Sequence, residues 1–595
     1  MKKILISALL CLSTLTMAAQ LTIEYGIKTN QREWKFSQTD LRRGTKTRIS
    51  THYTMLTGKR HECHNKGKQT VYTLTNTAGD TLLLELRRYK DGLAFRYVLP
   101  NVKEGEAIVT ENTSFRVPTD TRRWMQRNDI NNTGYEHFFP LCQGGISPEG
   151  ERHTNWGYPA LFQFSSGKYA IISDSYDPRD NGGSYLANSR DERNRYAVRY
   201  FGEERPTGSR WHSAWHVVIE GTLADIVEST LVTDVAEQPS FDASWVEPGV
   251  ASWIYWAYNH GSQEYDILKR YVDLAAEMKW HYTLVDAEWD VMRGGNIEQL
   301  CRYALSKGVD PIIWYNSSTA WTGSSAPTPQ WLLNDPDKCE QEFAKIASWG
   351  VKGVKIDFFA DDTQHLSRYY HQLITTAARH HLTVNFHGGT IPHGWQRTYP
   401  NVVTCEAVYG AEWYNNKSTL TNRAAEHNAT LPFTRNVIGP MDYTPGTFTD
   451  SQHPHITSDC HELALPILFE SGIQHMPDRP ETYTNMPAPI KQLLSTLPTA
   501  WDDTRYLAGT PGDHAVLARQ KGDTWYVAGV NGRRESRTVS VPLSFLTKGR
   551  YDATLITDSP DRHFLIEQKS IRPSQRLTIP CASDGGFVIV IRRRK

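Results

Sequence analysis

Three successive rhythms of apolar and polar positions divide the chain. From 20 to 245 the residues form short alternating runs, such as "TLLLELRRYKDGLAFRYVLP" and "YAIISDSYDP", each bounded by Gly, Asp, Asn or Pro. Period-two alternation between turn residues predicts antiparallel strands, here enough of them for a large β-sandwich. From 246 to 505 apolar strands alternate with amphipathic stretches of helical length. The strand candidates are "SWIYWAY", "HYTLVDAEWD", "DPIIWYNSS", "GVKIDFF", "LTVNFHGG", "NVVTCEAV", "PFTRNVIG" and "GIQHM", with helices expected near 262–279, 296–308, 336–349, 364–380 and 459–471. Eight such strands predict a (β/α)8 TIM barrel. A doubly wound open sheet is the alternative, weakened because no Gly-rich phosphate loop follows any of the strands. From 506 to 595 short strands return ("AVLARQKGDTWYVAGV", "GGFVIVIRR"), which predicts a small C-terminal β-sandwich.

Composition narrows the picture. A chain of 595 residues exceeds one ordinary core, in keeping with a multidomain α/β protein. Lys+Arg and Asp+Glu both number 65, so nothing in the charge favours nucleic acid as a partner. The 18 Trp and 29 Tyr include flat faces suited to sugar rings. The first 19 residues, within "MKKILISALLCLSTLTMAAQ", have the basic start, apolar stretch and small residues (Met17–Ala19) of a secretory signal peptide. Leu10 stands before Cys11 where a lipoprotein signal needs a small residue, and no other segment approaches about 20 consecutive apolar residues. The expectation is an exported, periplasmic protein without membrane insertion. The remaining cysteines are odd in number and irregularly spaced, so no disulfide framework is expected. "HECH" at 61–64 matches no standard zinc spacing and is read as an exposed polar turn.

One stretch, "VKGVKIDFFADDTQ" at 351–364, ends an apolar strand in Asp357. A carboxylate there is costly unless it is paired, holds a metal or does chemistry. Barrel enzymes place their active sites at the C-terminal ends of the strands. The predicted strand ends carry Asp286 and Glu288, Tyr315 and Asn316, Asp357, His387, then Glu406 with Glu412 further along its loop, then Arg435 and Asp442. Any one of these could cap a helix or pair with a lysine. Lys355 faces the same side as Asp357, while Asp361 and Asp362 suit a loop and the start of the next helix. As a set, acids and aromatics on one rim fit glycoside cleavage, in which one carboxyl protonates the leaving oxygen and the other attacks the anomeric carbon or activates water. A neighbouring lysine would keep Asp357 ionised, and the acidic loop bearing Glu406 and Glu412 would raise the pKa of an acid.

The motifs "ASWIYWAYNHGSQEYDILKRYVDLAAEM", "GVKGVKIDFF", "VNFHGGTIPHGWQRTYPNVVTCEAVYGAEWY" and "LPFTRNVIGPMDYTPGTF" resemble glycoside hydrolase family 97. The resemblance spans the chain. It implies an exported enzyme acting on α-linked sugars, with an N-terminal β-supersandwich, a catalytic (β/α)8 barrel and a small C-terminal β-domain. The family's inverting α-glucosidase branch has a Glu after the strand-five His and lacks the strand-four Asp. Here Gly388 follows His387 and Asp357 is present, so the chain resembles the retaining, α-galactosidase-like branch. That implies Asp357 as nucleophile and Glu412 as acid/base. It also implies a Ca2+ ion held by Glu136, Glu406 and Glu412, with sugar contacts from Lys355 and His387; Asp286 and Glu288 are placed to hold sugar hydroxyls. A β-L-arabinopyranosidase, an inverting α-glucosidase and a non-catalytic sugar-binding protein remain alternatives at this stage, and the oligomeric state stays open.

Overall fold

In the computed structural model, which describes residues 20–594 apart from 42–43, 131–133, 151–153, 318–322 and 324, the central sheet is parallel. The expected signal peptide lies outside the described residues. Among these the barrel has seven strands: β1 (Gly249–Trp253), β2 (Tyr282–Val285), β3 (Asp310–Asn316), β4 (Gly353–Asp357), β5 (Thr383–Phe386), β6 (Val402–Cys405) and β7 (Ile473–Met476). Their order is β6-β5-β4-β3-β2-β1-β7. Helices Tyr265–Met278, Ile297–Ser306, Pro336–Ser348, Gln364–Arg379 and Asp459–Leu468 fall where the apolar periodicity predicts them.

The expected eighth strand, "PFTRNVIG", is instead two short 3-10 turns, Leu431–Phe433 and Arg435–Val437. Arg435 explains the difference. Its guanidinium is fully buried and donates to the carbonyls of Cys405, Glu406, Ala407, Gly439 and Pro440. The segment therefore folds around an arginine rather than extending along β6. The ring still closes, through Asp442 N to Cys405 O (3.0 Å), Met441 N to Glu470 O (2.9 Å) and Gly472 N to Val403 O (3.1 Å).

Two β-domains flank this barrel, as expected. The N-terminal one holds a six-stranded and a nine-stranded sheet, and the C-terminal one a six-stranded sheet with a two-stranded partner. "HECH" is not a turn. It opens the strand Glu62–Thr75, which pairs antiparallel with Gly44–Thr54 so that Cys63 is buried while Glu62 and His64 face outward. The N-terminal domain docks on the loops after β4 and β5: Tyr135 Oη donates to Asp362 Oδ2 (2.5 Å), Gly183 N to Asp362 O (2.7 Å) and Trp395 Nε1 to Tyr176 O (2.9 Å). Asp362 thus serves a domain joint, and the helix that follows is capped by Thr363. The seven described cysteines are buried and unpaired. No described helix is long and apolar enough to cross a membrane.

Candidate active site

Strand alternation decides which side chains enter the barrel. Along β4 Lys355 and Asp357 point to one side, while Ile356 between them is fully buried in the main hydrophobic core. Trp314, Lys355 and Asn385 are register neighbours across β3–β5, and Asn316 pairs with Asp357 one step higher. Asp357 accepts from Trp314 Nε1 (3.0 Å) and the Phe358 N–H (2.9 Å). The buried Lys355 ammonium bonds Asp286 Oδ2 at 3.1 Å and stands 4.0 Å from Asp357 Oδ2. Its direct partner is therefore Asp286, not Asp357. Burial alone would raise the Asp286 carboxyl, but Lys355 and hydrogen bonds from Ala287 and Trp253 hold it below the usual carboxylate range.

The ends of β5 and β6 form the second half of the rim. His387 Nε2 lies 2.7 Å from Asp442 Oδ2, which also accepts from Asn385 Nδ2 at 2.7 Å. Burial opposes ionisation of Asp442, yet His475 and His387 hold it well below the ordinary value. An ionised carboxylate only accepts, so the ring hydrogen of His387 sits on Nε2. Burial and the nearby Lys355 ammonium lower the His387 pKa and keep it neutral, which turns an Nδ1 lone pair toward Glu406 Oε2 at 3.4 Å. Burial raises Glu406 far above its usual value, and Glu136 and Glu412 add to the shift. Glu412, on the 3-10 turn Ala411–Tyr414, is pushed up to about 8 by burial and by Asp357, Asp286 and Glu136, against the pull of Lys355. Glu136 is pushed up to about 7 by burial and by Asp357, while Trp413 Nε1 donates to its Oε2 at 2.7 Å.

His387, Glu406 and Glu412 bring ligand atoms within 4.8 Å of one another, a group that could hold a metal ion. Two features of the site fit a cation there. His387 Nδ1 and Glu406 Oε2 face each other at 3.4 Å, and three carboxyls crowd together with Lys355 as the cation acting on Glu412. Glu136 faces the same cavity but lies outside that tight group, its oxygen drawn to Trp413.

Three neighbouring strand ends, those of β4, β5 and β6, turn sharply. Phe358 (φ 67°), Gly388 (47°) and Ala407 (39°), which follow Asp357, His387 and Glu406, are all left-handed. So is Tyr135 (φ 54°), which precedes Glu136 and is anchored through its hydroxyl to Asp362. The non-glycine residues among them cost about 1–3 kcal/mol each, and such residues collect at functional sites, where the surrounding structure holds side chains in fixed directions.

Glu136, Asp286, Lys355, Asp357, His387, Glu406 and Glu412 line a single cavity of about 240 Å3 together with Tyr255, Trp314 and Trp413. Glu288 does not line it. The chain leaves the extended conformation after Asp286 and takes φ 72° at Glu288, so the alternation that would have aligned the two acids ends. Glu288 Oε2 instead accepts from His260 Nδ1 (2.5 Å) and Gln263 Nε2 (2.7 Å). The acidic cavity shares Glu136, Pro327, Phe358 and Trp413 with an outer cavity of about 930 Å3, whose walls include Arg127, His137, Phe138 and Tyr409. Trp314 and Trp413 were not among the sequence candidates. Trp314 had a usable signal, since it shares the inward face of β3 with Asn316.

Three family models match the chain: "Glycosyl-hydrolase 97 N-terminal" over residues 8–238, "Glycoside hydrolase 97" over 248–408 and "Glycosyl-hydrolase 97 C-terminal, oligomerisation" over 500–592. A probable retaining alpha-galactosidase of Streptomyces bingchenggensis is 35% identical over 559 residues, 91% of this chain and 82% of that protein. A retaining alpha-galactosidase of Bacteroides thetaiotaomicron is 26% identical, over 86% of this chain and 83% of its own length. Among solved structures, a beta-arabinopyranosidase superposes with a TM-score of 0.87 at 26% identity, covering 95% of this chain and 94% of its own. A Pseudoalteromonas enzyme crystallised with panose has the same fold, with a TM-score of 0.83 at 22% identity over 96% and 94% of the two chains.

Proposed function

Because the chain belongs to glycoside hydrolase family 97, we propose that it releases terminal α-D-galactosyl units with retention of configuration. The observation that carries this reading is the shared cavity of Asp357 and Glu412, in which hydrogen bonds from Trp314 and Phe358 aim one carboxylate and burial keeps a proton on the other. Asp357 attacks the anomeric carbon while Glu412 gives its proton to the glycosidic oxygen, and the C1–O bond breaks to free the alcohol. Glu412 then takes a proton from water, whose oxygen attacks C1 and displaces Asp357. Lys355 and His387 are positioned to bind sugar hydroxyls, with Asp286 orienting the lysine.

Glu406 and Glu412, joined by Glu136 from the N-terminal domain, would hold a calcium ion, a hard cation suited to carboxylate oxygens. Bound there, the ion would offset their mutual repulsion and polarise the acid/base. The small inner cavity suits one sugar ring, and the outer one suits the rest of an oligosaccharide. The signal-like residues 1–19 support export to the periplasm, which N-terminal sequencing of the mature enzyme tests.

A β-L-arabinopyranosidase activity is the second reading, favoured by the likeness to a solved enzyme of that name. The two sugars share ring stereochemistry and differ by an exocyclic CH2OH. Rates on an aryl α-D-galactopyranoside and an aryl β-L-arabinopyranoside decide between them. Hydrolysis of neither would overturn both readings.

A further inference from the structure

The "HECH" stretch lacks a zinc spacing along the chain, but the sheet supplies what the sequence does not. His52 on the neighbouring strand is the register partner of His64, and Glu62 is that of Thr54, so all three ligand-type side chains share the outer face of one hairpin. The two imidazoles stack with centroids 4.1 Å apart and an interplanar angle of 18°. Their Nε2 atoms both turn to one carboxylate oxygen, Glu62 Oε2, at 3.2 Å from His52 and 4.0 Å from His64. Ligand atoms of the three residues lie within 4.8 Å of one another. In a tetrahedral site with bonds of about 2.0–2.1 Å, ligand atoms stand about 3.4 Å apart, so small side-chain rotations would complete the geometry. His61 adds to the arrangement: its Nδ1 lies 2.8 Å from Met55 O, and its Nε2 is 3.7 Å from Glu62 Oε1. A histidine bonded in this way through one ring nitrogen presents the other to a metal.

We propose that His52, Glu62 and His64 bind a divalent transition-metal ion of the zinc class on the surface of the N-terminal domain. Two nitrogen donors and one carboxylate favour such an ion over calcium or magnesium, which take oxygen ligands. The site is separate from the catalytic cavity, none of whose lining residues it uses. It would tie the two strands together where the hairpin turn meets the chain that enters strand Asp503–Thr510, the first of the C-terminal sheet. There Trp501 N bonds Gly58 O (3.0 Å), Thr504 Oγ1 bonds Lys59 O (2.7 Å) and Arg60 Nε bonds Asp503 Oδ1 (3.1 Å). The bound ion therefore acts as a brace on an interdomain seam rather than in catalysis.

The test is calorimetric titration of Zn2+ into the full chain in buffer saturated with calcium, comparing wild type with His52→Gln/His64→Gln and with Glu62→Gln. Wild type should bind one more zinc ion per chain than the double variant, and Glu62→Gln should weaken that ion by about tenfold or more. Without zinc, all three proteins should share one melting temperature and one rate of glycoside cleavage; with zinc, only wild type should gain its full thermal stabilisation. Equal zinc stoichiometry and affinity in wild type and double variant, or no zinc bound by wild type, would overturn the proposal.

Discussion

A Cβ atom built on Gly388 would stand 3.0 Å from Asp357 Oδ1 and 3.1 Å from Phe358 N, on a backbone already at φ 47°. The residue after His387 and the carboxylate at the end of β4 therefore compete for one volume. A side chain at 388 would press on Asp357 in its present rotamer, so that the carboxylate or the Phe358 backbone must give by a few tenths of an ångström.

Gly388→Ala should displace Asp357 while leaving the barrel folded. The expected result is a fall in kcat/KM of about tenfold or more. A loss of roughly 1–2 kcal/mol in stability should accompany it, from forcing alanine into the left-handed region. Steady-state kinetics and denaturant unfolding check the two parts separately.

Asp357→Gly should abolish hydrolysis, because no other carboxylate in the cavity accepts from Trp314 as Asp357 does. Azide entering the vacated space should restore cleavage and yield the β-glycosyl azide. Wild-type enzyme should first release the α-anomer, as read by proton NMR; an initial β-anomer would remove Asp357 from the nucleophile's role.

The pH profile should report Glu412. A general acid works only while protonated, so activity should fall as pH rises through the pKa of Glu412, about 8 without a bound metal ion. Calcium favours the ionised form and should move this alkaline limb to lower pH; chelation should move the limb of the residual activity upward. Substrates with good leaving groups need no protonation and should lose the limb. Its persistence with a dinitrophenyl glycoside would assign it to another group.

Chelation should lower activity, and added calcium should restore it. Tyr135→Phe should raise the calcium concentration needed for half-maximal activity several-fold, since Tyr135 fixes the turn that delivers Glu136. Unchanged calcium dependence in that variant would separate Glu136 from the metal.

The sequence made legible those features that depend on local alternation. Lys355 and Asp357 share a face because they are two residues apart on a strand, and the helices follow their apolar stripes. Features decided by distant partners were not legible. Glu288 falls two residues after Asp286, yet a left-handed turn and a bond from His260 take it elsewhere. "PFTRNVIG" has strand composition, but Arg435 finds carbonyls up to 30 residues away and rolls the segment into turns. Asp362 suits a helix start by composition, and only the docked Tyr135 shows its use. "HECH" became a strand because Gly44–Thr54 lies beside it.

The bond from Tyr135 to Asp362 spans 227 residues of chain. Glu136 reaches the cavity from the N-terminal domain, so catalysis needs this joint to be made, and the expected order in refolding is each domain first and their docking afterwards. Regained catalysis then reports the last event of assembly rather than the first. Tryptophan fluorescence should recover ahead of turnover, and the lag between them measures the docking of one domain on another.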